Sequence, residues 1–167
     1  VTVSNVTISG FNVGIEMQSN DGLTLNGVDI DSSVFGIAKQ NGSANVTNFT
    51  MNGGSIFDSY MGMLIYAAAV SNGSFDNVTI DGTTFTQLGE KGIYAESLSN
   101  ALITNIIMND VGEYGRGAGF DVAPRLGEFG NGIDINLKYD VYANIEISNF
   151  TFTDVGSSAG ADGVALD

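Results

Sequence analysis

The sequence predicts an all-β chain wound as a parallel β-helix of about six coils, with three short strands in each. Three observations predict it. Apolar and polar residues alternate over short stretches such as "VTVSNVTI", "LTLNGVDI" and "VTIDGTTF", and a period of two marks strands. The stretches recur as a unit of about 22 residues, which can bury its apolar side only by coiling and stacking on its neighbours. One Asn or Gly stands between the first two strands of every unit, where a tight bend needs the left-handed backbone those residues tolerate.

Taken in order, the first strands place Val3, Leu25, Val46, Ile80, Ile103 and Ile147 inward, at spacings of 22, 21, 34, 23 and 44. The bends follow at Asn5, Gly27, Asn48, Gly82, Asn105 and Asn149, and stacked Asn side chains are expected to hydrogen-bond along the axis inside the coil. Second strands carry Ile8, Ile30, Met51, Phe85, Met108 and Phe152. Third strands open at Gly14, Gly36, Gly62, Gly92, Gly132 and Gly163, each followed by Ile, Met or Val.

First-strand to third-strand distances of 11, 11, 16, 12, 29 and 16 place the extra backbone after the second strand, along one edge of the stack. The longest such loop is "NDVGEYGRGAGFDVAPRLGEFGN", residues 109–131, which holds both arginines, Arg116 and Arg125, and the only proline. Shorter insertions, "AAAVSNGSF" and "KYDVYA", follow third strands. The 167 residues fit a single domain or a segment of a longer β-helix.

Composition narrows the chemistry. A net charge of −14 with no histidine repels nucleic acid and anionic membranes. No apolar run reaches the roughly 20 residues of a membrane span, so no membrane insertion is expected. Without cysteine or histidine, disulfides, thiol nucleophiles and the usual transition-metal ligands are excluded.

The "NVTI" strands, Asn bends and "GI" third strands resemble, over essentially the whole chain, the right-handed parallel β-helix (pectate-lyase-like) superfamily. The closest likeness is to repeat segments of large secreted bacterial surface proteins. The resemblance implies a right-handed coil, an extracellular or cell-surface location, and a substrate groove walled by loops and floored by outward residues of one sheet. The superfamily's enzyme signatures are not matched. The polygalacturonase Asp, His and Arg-Ile-Lys elements are missing, and "GFDVAPRLGE" has Val122 and Ala123 where mannuronan epimerases have Pro-His. A pectate-lyase mechanism would cast Arg116 or Arg125 as base beside Asp110, Asp121 and Asp134, but arginine is far too basic to accept a proton readily.

The third strand supplies the floor. Inward residues are Ile15, Ile37, Met63, Ile93, Ile133 and Val164; outward ones are Glu16, Ala38, Leu64, Tyr94, Asp134 and Ala165, then Gln18, Gln40, Tyr66, Glu96, Asn136 and Asp167. With rungs about 4.8 Å apart, Tyr66, Tyr94, Glu96 and Asp134 should cluster, overhung by Arg116 and Arg125, as a ligand-binding face. Aromatic rings beside carboxylates and amides are suited to stacking on sugars while bonding their hydroxyls. No catalytic residue and no metal ligand is assigned, and no cofactor is expected beyond a weak calcium ion that the loops at 19–22 and 154–163 could hold. Lys39 falls at an inward phase, which predicts a frayed strand or a slipped register there.

Neither "VTVSNVTI" nor "GVALD" offers a cap, so the coils are expected to meet neighbouring coils or another copy of the protein. The functional expectation is an extracellular structural or adhesive element, a stalk, surface-layer or fibre segment, binding polysaccharide or a protein partner along its loop edge. The alternative is a lyase-like or epimerase-like polysaccharide enzyme using the third-strand face and the 109–131 loop.

Overall fold

The computed structural model describes residues 1–31, 33–112, 130–156 and 164–166. The first turn consists of β1 (Thr2–Ser4), β2 (Thr7–Ser9) and β3 (Val13–Glu16). The second is β4 (Asn20–Asn26), β5 (Asp29–Asp31) and β6 (Phe35–Lys39); the third β7 (Val46–Asn52), β8 (Ser55–Ser59) and β9 (Met61–Ile65). The fourth is β10 (Phe75–Asp81), β11 (Thr84–Leu88) and β12 (Ile93–Ala95). After these, first and second strands fuse in β13 (Ser99–Val111) and β15 (Ile145–Val155), which alternate with β14 (Ile133–Ile135) and β16 (Val164–Leu166).

Every strand pairing is parallel among the described residues. One sheet gathers all first and second strands; the other stacks third strands in the order β16, β14, β12, β9, β6, β3. The chain is therefore a parallel β-solenoid. Among the described residues it makes about four complete turns rather than six; the connections at 113–129 and 157–163 lie outside them.

The interior is packed by columns in register, such as Leu25, Met51, Ile80 and Ile103 from first strands and Ile37, Met63, Ile93 and Ile133 from third strands. The third-strand glycines form a column of their own. A Cβ on Gly62 would lie 2.3 Å from the Gly92 carbonyl oxygen and 2.7 Å from the Phe85 ring. Gly14, Gly36 and Gly92 meet the next rung in the same way, so these glycines let backbone approach backbone across the stack.

The third turn corrects the sequence register. Val46 pairs with Asn20, whereas Leu25 pairs with Met51 and Ile30 with Ile56. Met51 is thus the first-strand residue, Ile56 the second, and the bend falls at Gly53, with φ +62°. Asn48 is left-handed too, with φ 56°, but it kinks β7, and Asn77 does the same in β10. No insertion follows the second strand here: only Tyr60 separates β8 from β9.

The asparagine ladders also differ from expectation. They run on the outside of the coil, since the interior is filled by apolar columns. Asn48 donates to Asp21 at 2.5 Å, Asn77 donates to Asn48, Asn105 donates to Asp81 at 2.7 Å and Asn144 to Asn100 at 2.8 Å. The bonds from Asn48 and Thr47 hold the Asp21 carboxyl below its usual range.

Candidate binding pocket on the third-strand face

Parallel pairing of β9, β12 and β14 sets Leu64, Tyr94 and Asp134 side by side on the outer face of the six-stranded sheet. Tyr66 and Glu96 lie two residues further along their strands. Tyr66, Tyr94, Glu96 and Asp134 all line one pocket of about 470 Å³ with Phe35, Tyr60, Met61, Leu64, Glu90, Lys91, Asn136 and Lys138. Arg116 and Arg125 lie outside the described residues.

The floor is drier than an outward sheet face would suggest. Ala38, Met61 and Leu64 are buried and form a second apolar cluster with Val13, Phe35, Tyr60 and Tyr94. Over it, the Tyr66 and Tyr94 rings meet edge to face, with centroids 6.4 Å apart. Lys91 and Lys138 ammoniums lie 5.2 and 5.9 Å from the Tyr94 ring centroid, which leaves Tyr66, 37% exposed, as the outer aromatic platform.

Two charged networks flank the rings. In one, Lys138 Nζ donates to Glu96 Oε1 at 2.5 Å and to the Tyr94 hydroxyl at 3.2 Å, while that hydroxyl donates to Glu96 Oε1 at 2.8 Å. Glu96 Oε2 accepts the Ala67 N–H at 3.0 Å. Burial opposes the Glu96 charge, but the donors from Lys138, Ala67 and Tyr94 outweigh it and hold the carboxyl below its usual range. Burial, reinforced by Glu96, pushes the Tyr94 phenol up to about 12. The bond to Glu96 outweighs burial at Lys138 and raises that ammonium.

In the second network Lys91 Nζ lies 3.2 Å from Glu90 Oε1 and 3.3 Å from Asp134 Oδ2. Asn131 donates to the same Asp134 oxygen at 3.5 Å. Asp134 is only 7% exposed, and its Oδ1 has no hydrogen-bond partner among the described residues.

Lys39 explains its inward phase without fraying or slippage. It pairs with Ile65 in regular register and is fully buried. Its ammonium donates to the carbonyls of Tyr66 at 2.8 Å and Gly42 at 3.2 Å. Burial lowers it to about 8, with Glu96 pulling the other way. All three lysines of the chain, Lys39, Lys91 and Lys138, thus gather at or directly beneath this pocket.

Behind Lys138, loops after third strands are tied to one another. The Asn72 amide donates to the Tyr142 hydroxyl at 2.9 Å, which donates to the Lys138 carbonyl at 2.6 Å. Sequence reasoning missed Glu90, Lys91 and Lys138. Lys138 was within reach, since it continues the outward phase of Asp134 and Asn136; Glu90 and Lys91 precede their strand, where alternation carries no information.

For the calcium expectation, Asn20 to Gly22 belong to β4 rather than to a loop, the Asp21 carboxylate is engaged by Thr47 and Asn48, and 157–163 lies outside the described residues. Among the described residues, no three acidic, His or Cys side chains converge on a metal position. No protein-family model, curated protein or solved structure matches the chain. The class defined by fold and pocket is a parallel β-solenoid with an aromatic and charged pocket on its third-strand sheet.

Proposed function

We propose that the chain is an extracellular structural and adhesive solenoid segment, of the kind found in large secreted surface proteins, that binds a glycan in the third-strand pocket. The observation that carries this reading is the Tyr66 and Tyr94 edge pair standing between two hydrogen-bonded charged networks. An exposed ring stacks on the apolar face of a sugar, and rigid polar groups beside it fix the hydroxyls. Further copies of the chain would repeat the geometry and add avidity.

The same geometry favours binding over lyase-like or epimerase-like turnover. A general base or acid works best with its proton affinity near the working pH. Burial and Glu96 push Tyr94 up, while donors from Lys138, Ala67 and Tyr94 hold Glu96 down, so each stays in its resting form near neutrality.

The test is a glycan array followed by calorimetry on the purified chain, with chromatography of the incubated glycans for cleaved or epimerised products. Binding that drops about tenfold or more in Tyr66→Ala, with no product formed, is expected. Turnover abolished by Glu96→Gln or Asp134→Asn would instead establish the enzyme reading.

A further inference from the structure

We infer that the pocket selects neutral sugar residues over uronates, taking a ligand hydroxyl on the Asp134 carboxylate. This rests on the glycan-binding reading above and specifies its ligand.

The first ground is the state of the cations. Glu90, Glu96 and Asp134 line the pocket against Lys91 and Lys138. Each of these lysines already touches a carboxylate, Lys91 two of them and Lys138 one at 2.5 Å. A uronate entering the pocket would find no uncommitted ammonium among the described residues and would have to displace a buried partner. It would also approach against a chain of net charge −14, whose field lowers the local concentration of polyanions.

The second ground is Asp134, which lines the pocket and whose buried Oδ1 lacks a partner among the described residues. It is an acceptor. A buried acceptor without a donor is unfavourable, and a ligand O–H supplies what is missing. The terminal torsion of an aspartate is soft, so the carboxylate can turn towards the pocket while Lys91 keeps Glu90 at 3.2 Å. A ligand ammonium is the other donor to consider, but Lys91 Nζ already sits 3.3 Å from Oδ2 and repels a second cation. What remains is a neutral donor. Tyr66, lining the same pocket, provides the surface on which the pyranose ring lies, so hydroxyl and ring face are recognised together.

The test compares neutral glucan, galactan, mannan and xylan oligosaccharides with polygalacturonate and alginate oligosaccharides of equal length, by calorimetry on the whole chain at low and high salt. A neutral oligosaccharide should bind at least about tenfold more tightly than either uronan, and Asp134→Asn should weaken it by about tenfold, the usual effect of losing one charge-assisted hydrogen bond. Asp134→Asn could disturb folding by leaving Lys91 with one partner, so monodeoxy analogues of the best neutral ligand are titrated against the unaltered chain. One deoxy position should lose a similar factor. Preference for a uronan, or neutral binding indifferent to every deoxy position, overturns this inference while leaving glycan binding intact. Failure of every oligosaccharide to bind overturns both readings.

Discussion

The ammonium of Lys39, fully buried inside the solenoid, donates to the main-chain carbonyl of Tyr66 at 2.8 Å. Interior charge and outer pocket are therefore joined through one backbone position: the residue that offers its ring to a ligand is tied from behind by a lysine that no ligand can reach.

Lys39 makes stability depend on pH. Its folded value of about 8 lies below its ordinary 10.5, so between those limits the unfolded chain binds more protons and stability should rise with pH. Denaturant titrations of the unaltered chain and Lys39→Met at pH 7 and pH 9.5 should show the gain only in the former. At pH 7, Lys39→Met should be more stable by on the order of 1 kcal/mol, as when apolar packing replaces a buried charge. A variant that keeps the same pH slope would remove Lys39 as its source.

The glycine column predicts a contrast between two single substitutions. Gly62→Ala drives a methyl into the Gly92 carbonyl and the Phe85 ring and should cost about 3 kcal/mol, the upper range for overpacking. Gly10→Ala meets nothing within 4 Å but must hold φ +76°, at about 1 kcal/mol. Equal urea midpoints for the two would mean that the rungs can separate locally.

Asn48 tests whether backbone or ladder matters more. Asn48→Gly keeps φ 56° accessible and loses the bonds to Asp21 and Asn77; Asn48→Ala loses both. Thermal melts should place Ala below Gly by about 1 kcal/mol. Indistinguishable melts would assign the whole effect to hydrogen bonding.

Removing the Glu96 charge should release Tyr94. In Glu96→Gln the phenol keeps its burial but loses the adjacent carboxylate, so its titration, followed by tyrosinate absorbance, should fall from about 12 towards 10. Because the folded value exceeds the unfolded one, the stability tied to Tyr94 is present below pH 10 and disappears as pH rises through 12. The variant should show less of that alkaline loss. A Tyr94 titration unmoved by the substitution would leave burial as the sole cause.

The solenoid was legible because its causes are local and repeated. Alternation sets which residues face inward, and the third-strand series Ile37, Met63, Ile93 and Ile133 keeps that phase across rungs. Where one local signal serves two purposes, reading fails: an asparagine with positive φ marks the bend between first- and second-strand segments at Asn5 and Asn105 but a kink within the first strand at Asn48 and Asn77. Only the pairing of Leu25 with Met51 tells them apart.

By itself, then, the amino-acid order determined that the chain coils, which side of each third strand faces out, and that Tyr66, Tyr94, Glu96 and Asp134 share one face. Such properties follow from a period of two and a nearly constant rung. Tertiary structure alone decided that Lys91 and Lys138 neutralise those carboxylates, that Leu64 and Ala38 form a dry floor, and that Lys39 anchors Tyr66 from inside. These depend on side chains from different turns and loops meeting in space, where Coulomb attraction and desolvation act over a few ångströms regardless of separation along the chain.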